Sequence, residues 1–181
     1  MSKSNINFTA QLVTIGSRTV LRLPEHASEK LPSRGMVMGR GTINGFHFQT
    51  PLEPDGEGSH WFEVDKSMRE NAGADVGDTV TLEIEPISDW PEPTVPADLE
   101  NAFADHPEAQ TLWNDITTKA RWEYIRWIRS AKKSETRERR IETACSKLED
   151  GQRRPCCFDS SSCTVPDISK SGVLIEPMEN R

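Results

Sequence analysis

Six residues between positions 121 and 140 bring together side chains that hold an anion and side chains that stack on a ring: Arg121, Tyr124, Trp127, Lys132, Glu135 and Arg140. Guanidinium groups fork onto phosphates and carboxylates, and an indole offers its face to a ring or a cation. A helical period places Arg121, Lys132 and Arg139 close to an apolar stripe, with Arg126, Arg129 and Lys133 further round. The ligand reading is therefore a cradle for an anionic small molecule, lined by Trp127 and Tyr124. The competing reading gives the same residues a structural role: the cations pair with the acidic barrel and linker, and the aromatics fill a core. Lys132 and Glu135 stand three apart, so on one helix they would form a salt bridge. Catalytic use of that pair needs a buried, pKa-shifted Lys or Glu facing a cleft. No catalytic residue is assigned.

Other candidates carry weaker patterns. Asp55-Gly56-Glu57-Gly58 is glycine-rich, but no Lys-Ser/Thr follows, it opens onto a strand, and its own carboxylates repel phosphate. It reads as a turn. His26, His47, His60 and His106 are scattered; His47 and His60 fall on segments that would let them approach across neighbouring strands. Cys145 lies in a helical stretch, and Cys156, Cys157 and Cys163 lie in the tail without zinc-ligand spacing. These read as plain thiols, and no metal or cofactor is expected. Walker, G-x-S-x-G and dinucleotide patterns are absent from the sequence.

The elements that must position these residues follow from hydrophobic period. Up to residue 86 the pattern is two. Ile6, Phe8, Ala10 and Leu12 alternate with polar neighbours, as do Val80, Leu82 and Ile84 with Thr79, Thr81, Glu83 and Glu85. Residues 19–23, 36–43, 46–49 and 60–64 add four more strands. Asn44-Gly45 is a strong signal for a type I′ hairpin. Six strands of this length suggest a small antiparallel β-barrel, with a helical turn or two at 66–72. Residues 89–96 hold Pro91, Pro93 and Pro96 and form a stiff linker. Beyond it the period becomes helical, giving a short bundle over 97–151 with a break near Lys133-Ser134, where Ser134 would cap the next helix. Residues 152–181 lack periodicity and read as a flexible tail, with 172–175 as a stray strand. The fold class is α+β: barrel at 1–88, linker at 89–96, helical region at 97–151, tail at 152–181.

Charge follows the same division. Residues 1–117 hold 8 Lys and Arg against 19 Asp and Glu, whereas residues 118–154 hold 12 against 6. An acidic body with one basic segment argues against tight nucleic-acid binding and permits a local anion-binding surface. No stretch is apolar enough to insert in a membrane, and the polar residues 1–7 show no signal region, so a cytosolic location is expected.

Residues 96–151 resemble the YdeI/OmpD-associated, or bacteriocin-protection, family. The likeness rests on Pro96-Ala97-Asp98-Leu99, Ala102-Phe103, Pro107, Arg121, Tyr124, Trp127-Ile128, Ala131-Lys132, Glu135-Thr136-Arg137, Arg140-Ile141 and Gly151. Residues 6–86 resemble the bacterial β-barrel domain of unknown function that often precedes it, through Phe8, Leu23-Pro24, residues 41–45, Phe48, Gly56, Gly58, Val64 and residues 77–80. The resemblance implies an association with tolerance of membrane-active peptides. It implies no reaction. The resulting expectation is a cytosolic bacterial accessory protein that binds an anionic small molecule or a protein partner without chemistry of its own. An enzyme using a cleft between barrel and helices, and a nucleic-acid-associated regulator, are the alternatives. Arg121, Lys132, Glu135 and Arg140 are expected where helices dock on the barrel, above Trp127.

Overall fold

Strands with one apolar face must find a shared core, and a curled sheet supplies it. The computed structural model describes residues 5–155 and 158–175, which form two compact units; Cys156 and Cys157 fall outside the described residues. The first unit takes in residues up to 88, together with 160–163 and 167–175. Its elements are β1 (Ile6–Gln11), β2 (Val13–Ile15), β3 (Arg18–Arg22), α1 (Glu25–Ser28), β4 (Val37–Ile43), β5 (Phe46–Pro54), β6 (His60–Glu63), α2 (Lys66–Ala72) and β7 (Thr79–Pro86). The strands form one antiparallel half-barrel in the order β1-β7-β4-β5-β6-β3-β2. The seventh strand, beyond the six expected, is β2. At three residues it is too short to show a period, and it forms only as the return arm of a hairpin on β3.

Registers place the apolar rows inward. Ile6, Phe8 and Ala10 face Ile84, Leu82 and Val80 across β1 and β7, and all but Ala10 of these are buried. Asn44 and Gly45, with φ of 48° and 86°, close the β4–β5 hairpin as the two-residue turn their types favour. The Asn44 side chain is anchored as well: Oδ1 accepts from the Thr81 amide at 2.9 Å and Nδ2 donates to the Ala72 carbonyl at 3.2 Å. β5 runs five residues past Gln49, through Pro51. Proline is tolerated there because β6 joins the other side of β5 only from Glu53. Gly41 lets β7 close on β4, since a Cβ there would lie 1.8 Å from the Glu83 carbonyl oxygen.

In the same unit, β8 (Ser169–Lys170) and β9 (Val173–Leu174) form a second hairpin, turned at Ser171-Gly172, both with positive φ. It lies against the glycine-rich loop. The Leu174 amide donates to the Asp55 carbonyl at 2.7 Å, and a Cβ on Gly56 would sit 2.1 Å from the Gly172 carbonyl oxygen. The loop is a turn, as its composition suggests. Asp55 accepts from the amides of Glu57 and Ser59 at 2.8 and 3.0 Å.

The second unit holds residues 89–155, 158–159 and 164–166. Its helices are α3 (Ala97–Asp105), α4 (Pro107–Asp115), α5 (Thr118–Arg129) and α6 (Ser134–Glu149). Pro107 opens α4, and the Thr117 side chain caps α5 by accepting from the Ala120 amide at 3.1 Å. The expected break between α5 and α6 is present. The capping position is Lys133, one residue earlier than Ser134, and makes no side-chain cap. One core joins Leu99, Phe103, Trp113, Tyr124, Ile128, Ile141, Cys145 and Leu148. Its rings pack as a file, Phe103 to Trp113 at 5.3 Å and Trp113 to Tyr124 at 6.2 Å.

Candidate functional site

The six residues singled out from the sequence all lie on the helical unit, and most of their polar groups are engaged within it. Residues 90–92 lie along the start of α5. Glu92 accepts from Thr118 Oγ1 at 2.8 Å and from Arg121 Nη1 at 2.6 Å, and the Pro91 carbonyl accepts from Trp122 Nε1 at 2.9 Å. Arg121 also donates to the Ile116 carbonyl at 2.9 Å. The stiff linker is thus also packing material for α5. Tyr124 is fully buried, and its hydroxyl donates to the Gln152 carbonyl at 2.8 Å. Loss of hydration on burial pushes its phenol up to about 12.

Arg140, on α6, reaches back to the end of α5. It donates to the Trp127 carbonyl at 2.8 Å and to Ser130 Oγ, and its guanidinium lies 5.6 Å from the centre of the Trp127 ring. It therefore closes off a carbonyl that the last turn of α5 leaves without a helical partner.

Lys132 and Glu135 are exposed, and no ion pair joins them among the described residues. The helical spacing argument fails for Lys132 because α5 ends at Arg129, so Lys132 belongs to the connection and not to a helix face. The ion pair in this region is one that reading from apolar stripes missed. Arg137 donates to both oxygens of Asp98, at 2.6 and 3.1 Å, and ties α6 to the first turn of α3. That hydrogen-bonded guanidinium holds the Asp98 carboxyl below the usual carboxylate range.

Arg126 is also placed differently from the sequence expectation. The helical period puts it further round from the apolar stripe, yet it is only 1% exposed. Its guanidinium lies 5.4 Å from the centre of the Phe158 ring, and Arg129 Nη2 donates to Thr164 Oγ1 at 2.6 Å. A second face of α5 is covered by residues that follow the helices, which a stripe drawn on α5 alone does not reveal.

The histidines separate. His47 is exposed on β5 opposite Thr42, whereas His60 is buried on β6 opposite Pro54. His60 Nε2 donates to the Gly35 carbonyl at 2.8 Å, and its Nδ1 accepts from Ser28 Oγ at 2.6 Å. Arg34 donates to Ser28 Oγ at 3.2 Å, to the Ser28 carbonyl at 2.6 Å and to the Gly58 carbonyl at 2.8 Å. This Ser–His pair fastens α1 and the loop after it to β6. Both residues are buried.

An open surface suited to a ligand lies on the outer face of the sheet. Two polar rungs cross three strands there: Gln49–Arg40–Glu85 and His47–Thr42–Glu83. With Asn5 at one end they line an open groove of about 800 Å³. Arg40 Nε donates to Glu85 Oε1 at 2.6 Å, and Asn5 Nδ2 donates to Glu83 Oε1 at 2.6 Å. The groove offers a guanidinium, an imidazole, amides and two carboxylates to one ligand face. Period-two alternation places every one of these residues on the water side, and the Asn-Gly turn sets Arg40 opposite Gln49. Only the pairing of β4 with β7, distant in sequence, was not readable. Among the described residues, no three His, Cys, Asp or Glu converge to hold a metal.

A half-barrel of antiparallel strands preceding a four-helix unit defines an α+β protein built from two modules. Residues 92–151 match the family model described as Bacteriocin-protection, YdeI or OmpD-Associated, and residues 8–84 match that of a domain of unknown function, DUF1905. The chain thus carries a region similar to the YdeI/OmpD-associated family, preceded by a region similar to this domain of unknown function. None of the curated proteins searched matches it. Among the described residues, no helix is long and apolar enough to cross a membrane.

Proposed function

We propose that this protein is a non-catalytic cytoplasmic binding protein whose role connects, as its family description suggests, to tolerance of membrane-active peptides, and that its ligand sits on the outer face of the sheet. The observation that carries this reading is the paired polar rungs Gln49–Arg40–Glu85 and His47–Thr42–Glu83 along an open groove. Arg121, Tyr124 and Arg140, in contrast, have their hydrogen bonds committed to the helical unit. A surface that recognises a polar ligand keeps donors and acceptors within reach of solvent on a rigid element, and a three-strand face does so.

Thermal shift tests the assignment. A panel of phosphates, nucleotides, carboxylates and short peptides is screened against the wild type, Arg40→Ala with His47→Ala, and Arg121→Ala. A compound that binds the folded state raises Tm by mass action. The groove variant should lose that rise while keeping its own Tm within a few degrees, as surface substitutions usually do. Arg121→Ala should have a lower Tm and an unchanged rise. A rise abolished by Arg121→Ala and kept by the groove variant would move the ligand to the helical unit.

A further inference from the structure

A covered patch on the outer face of the sheet, away from the groove, leads to a separate inference. Leu12, Leu21 and Phe62 belong to the core of the first unit. Successive side chains alternate along a strand, so Val13, Val20 and Trp61 face outward, and Ile15 with them. The outer face of an antiparallel sheet is normally polar. Here Ile15, Val20 and Trp61 are at most 2% exposed, yet they belong to neither core. Residues of the same unit that follow the helices lie at the margins of this face. A Cβ on Gly16 would stand 3.8 Å from the Asp167 carbonyl oxygen and from Ile168 Cγ2, and Arg18 Nη2 lies 3.6 Å from Asp167 Oδ2. At the other margin the Asp55 carbonyl holds the Leu174 amide. Ile168 and Leu174 are themselves buried, again outside both cores. This cover is folded on itself: the Cys163 amide donates to the Gly172 carbonyl at 2.6 Å, and the Ile175 amide to the Ile168 carbonyl at 2.9 Å. It lies beyond both family matches, which end at residues 84 and 151. It also leaves the buried Trp61 indole N–H without an acceptor among the described residues. A buried donor left unpaired weakens the contact that buries it by about tenfold or more. We propose that the outer face of β2, β3 and β6 is a peptide-docking surface, occupied in the absence of a partner by the chain's own residues 167–175. The partner it fits is an acidic, aliphatic segment able to form a short hairpin. It brings a carboxylate for Arg18, aliphatic side chains for Ile15 and Val20, and a carbonyl or carboxylate for the Trp61 N–H. Such a segment keeps what the tail offers and adds the bond the tail leaves unmade, so it displaces the tail.

Two measurements on the full-length chain test this. The first is hydrogen exchange on the wild type. An occupant opens without its seat, so the amides of Leu174 and Ile175 should exchange at least about tenfold faster than those of Leu23 and Val64, which bond across β3 and β6. Equal rates would make the tail part of the sheet's own packing and overturn the proposal. In the second, a labelled synthetic peptide of residues 160–175, carrying Cys163→Ser, is titrated into the wild type and into the Ile168→Ala, Leu174→Ala double variant. Near-UV circular dichroism checks the fold. The peptide should bind the variant at least about tenfold more tightly than the wild type, because the variant's own tail competes less well. Adding Val20→Lys to the double variant puts a charge on the docking face and should remove that binding. Adding Arg40→Ala and His47→Ala instead should leave it unchanged, which separates this face from the groove. Equal or absent binding to the two chains, binding indifferent to Val20→Lys, or equal binding of a scrambled peptide would each overturn the proposal. So would loss of binding with the groove substitutions, or a double variant that no longer folds.

Discussion

At the scale of single residues, the same side-chain type does different work according to what it meets. Arg121 and Arg140 serve the ends of α5, Arg137 ties α6 to α3, and Arg40 stands on an open strand face. Tyr124 gives the clearest test, because it is the only tyrosine in the chain. Its phenol is raised from 10.0 to about 12, so the folded state binds its proton more tightly than the unfolded state does. The stability linked to it is fully present below pH 10 and is lost as pH rises through about 12. Spectrophotometric titration should therefore show little tyrosinate at pH 10–11 while the protein is folded, and a jump in tyrosinate when urea is added at the same pH. Early ionisation in the folded protein would contradict the buried hydroxyl. Tyr124→Phe should cost about 1 kcal/mol, the usual net value of one hydrogen bond, and should remove this contribution to the alkaline loss of stability.

At the scale of elements, the sheet depends on how closely β7 approaches β4. Gly41→Ala would put a carbon 1.8 Å from the Glu83 carbonyl oxygen in the middle of that pairing. The strands must part, so equilibrium unfolding in urea should show a loss of about 1–3 kcal/mol, the range for overpacking. A midpoint equal to that of the wild type would show that the ladder is looser than described. Elements of this kind were largely legible in the sequence, because period, turn chemistry and proline act locally. Asn44-Gly45 fixed a hairpin, Pro107 opened a helix, and the alternation in β1 and β7 announced their buried rows. What escaped was non-local. β2 exists only because β3 pairs with it, and β5 outlasts its alternation past Pro51. Arg126 is buried by a residue more than thirty positions away. The sequence pattern puts the break near Lys133-Ser134, whereas α5 ends at Arg129, so Lys132 lies past the end of the helix.

At the scale of the whole molecule, charge is the controlling quantity. The net charge is -7, and the basic residues gather in 118–154. Several of those cations already have partners: Glu92 for Arg121, Asp98 for Arg137 and Asp115 for Arg153. Those pairs lower the charge open to phosphates, and an acidic body repels a polyanion. We therefore predict no gel shift of duplex DNA at nanomolar protein in about 0.15 M salt. A tight complex that weakens steeply with added salt would refute this.

The hairpin turn between β4 and β5 has a consequence for chemical ageing. Asn-Gly is the dipeptide most prone to losing its side-chain amide, because the small glycine lets its own nitrogen attack the asparagine carbonyl and close a succinimide ring. In this fold that carbonyl oxygen is held by the Thr81 amide, and the amide nitrogen by the Ala72 carbonyl. The side chain cannot swing toward Gly45 without breaking both bonds. The shelf life of Asn44 is thus set by how often the β4–β5 hairpin opens, and the fraction of aspartate and isoaspartate that accumulates there becomes a slow clock for that motion.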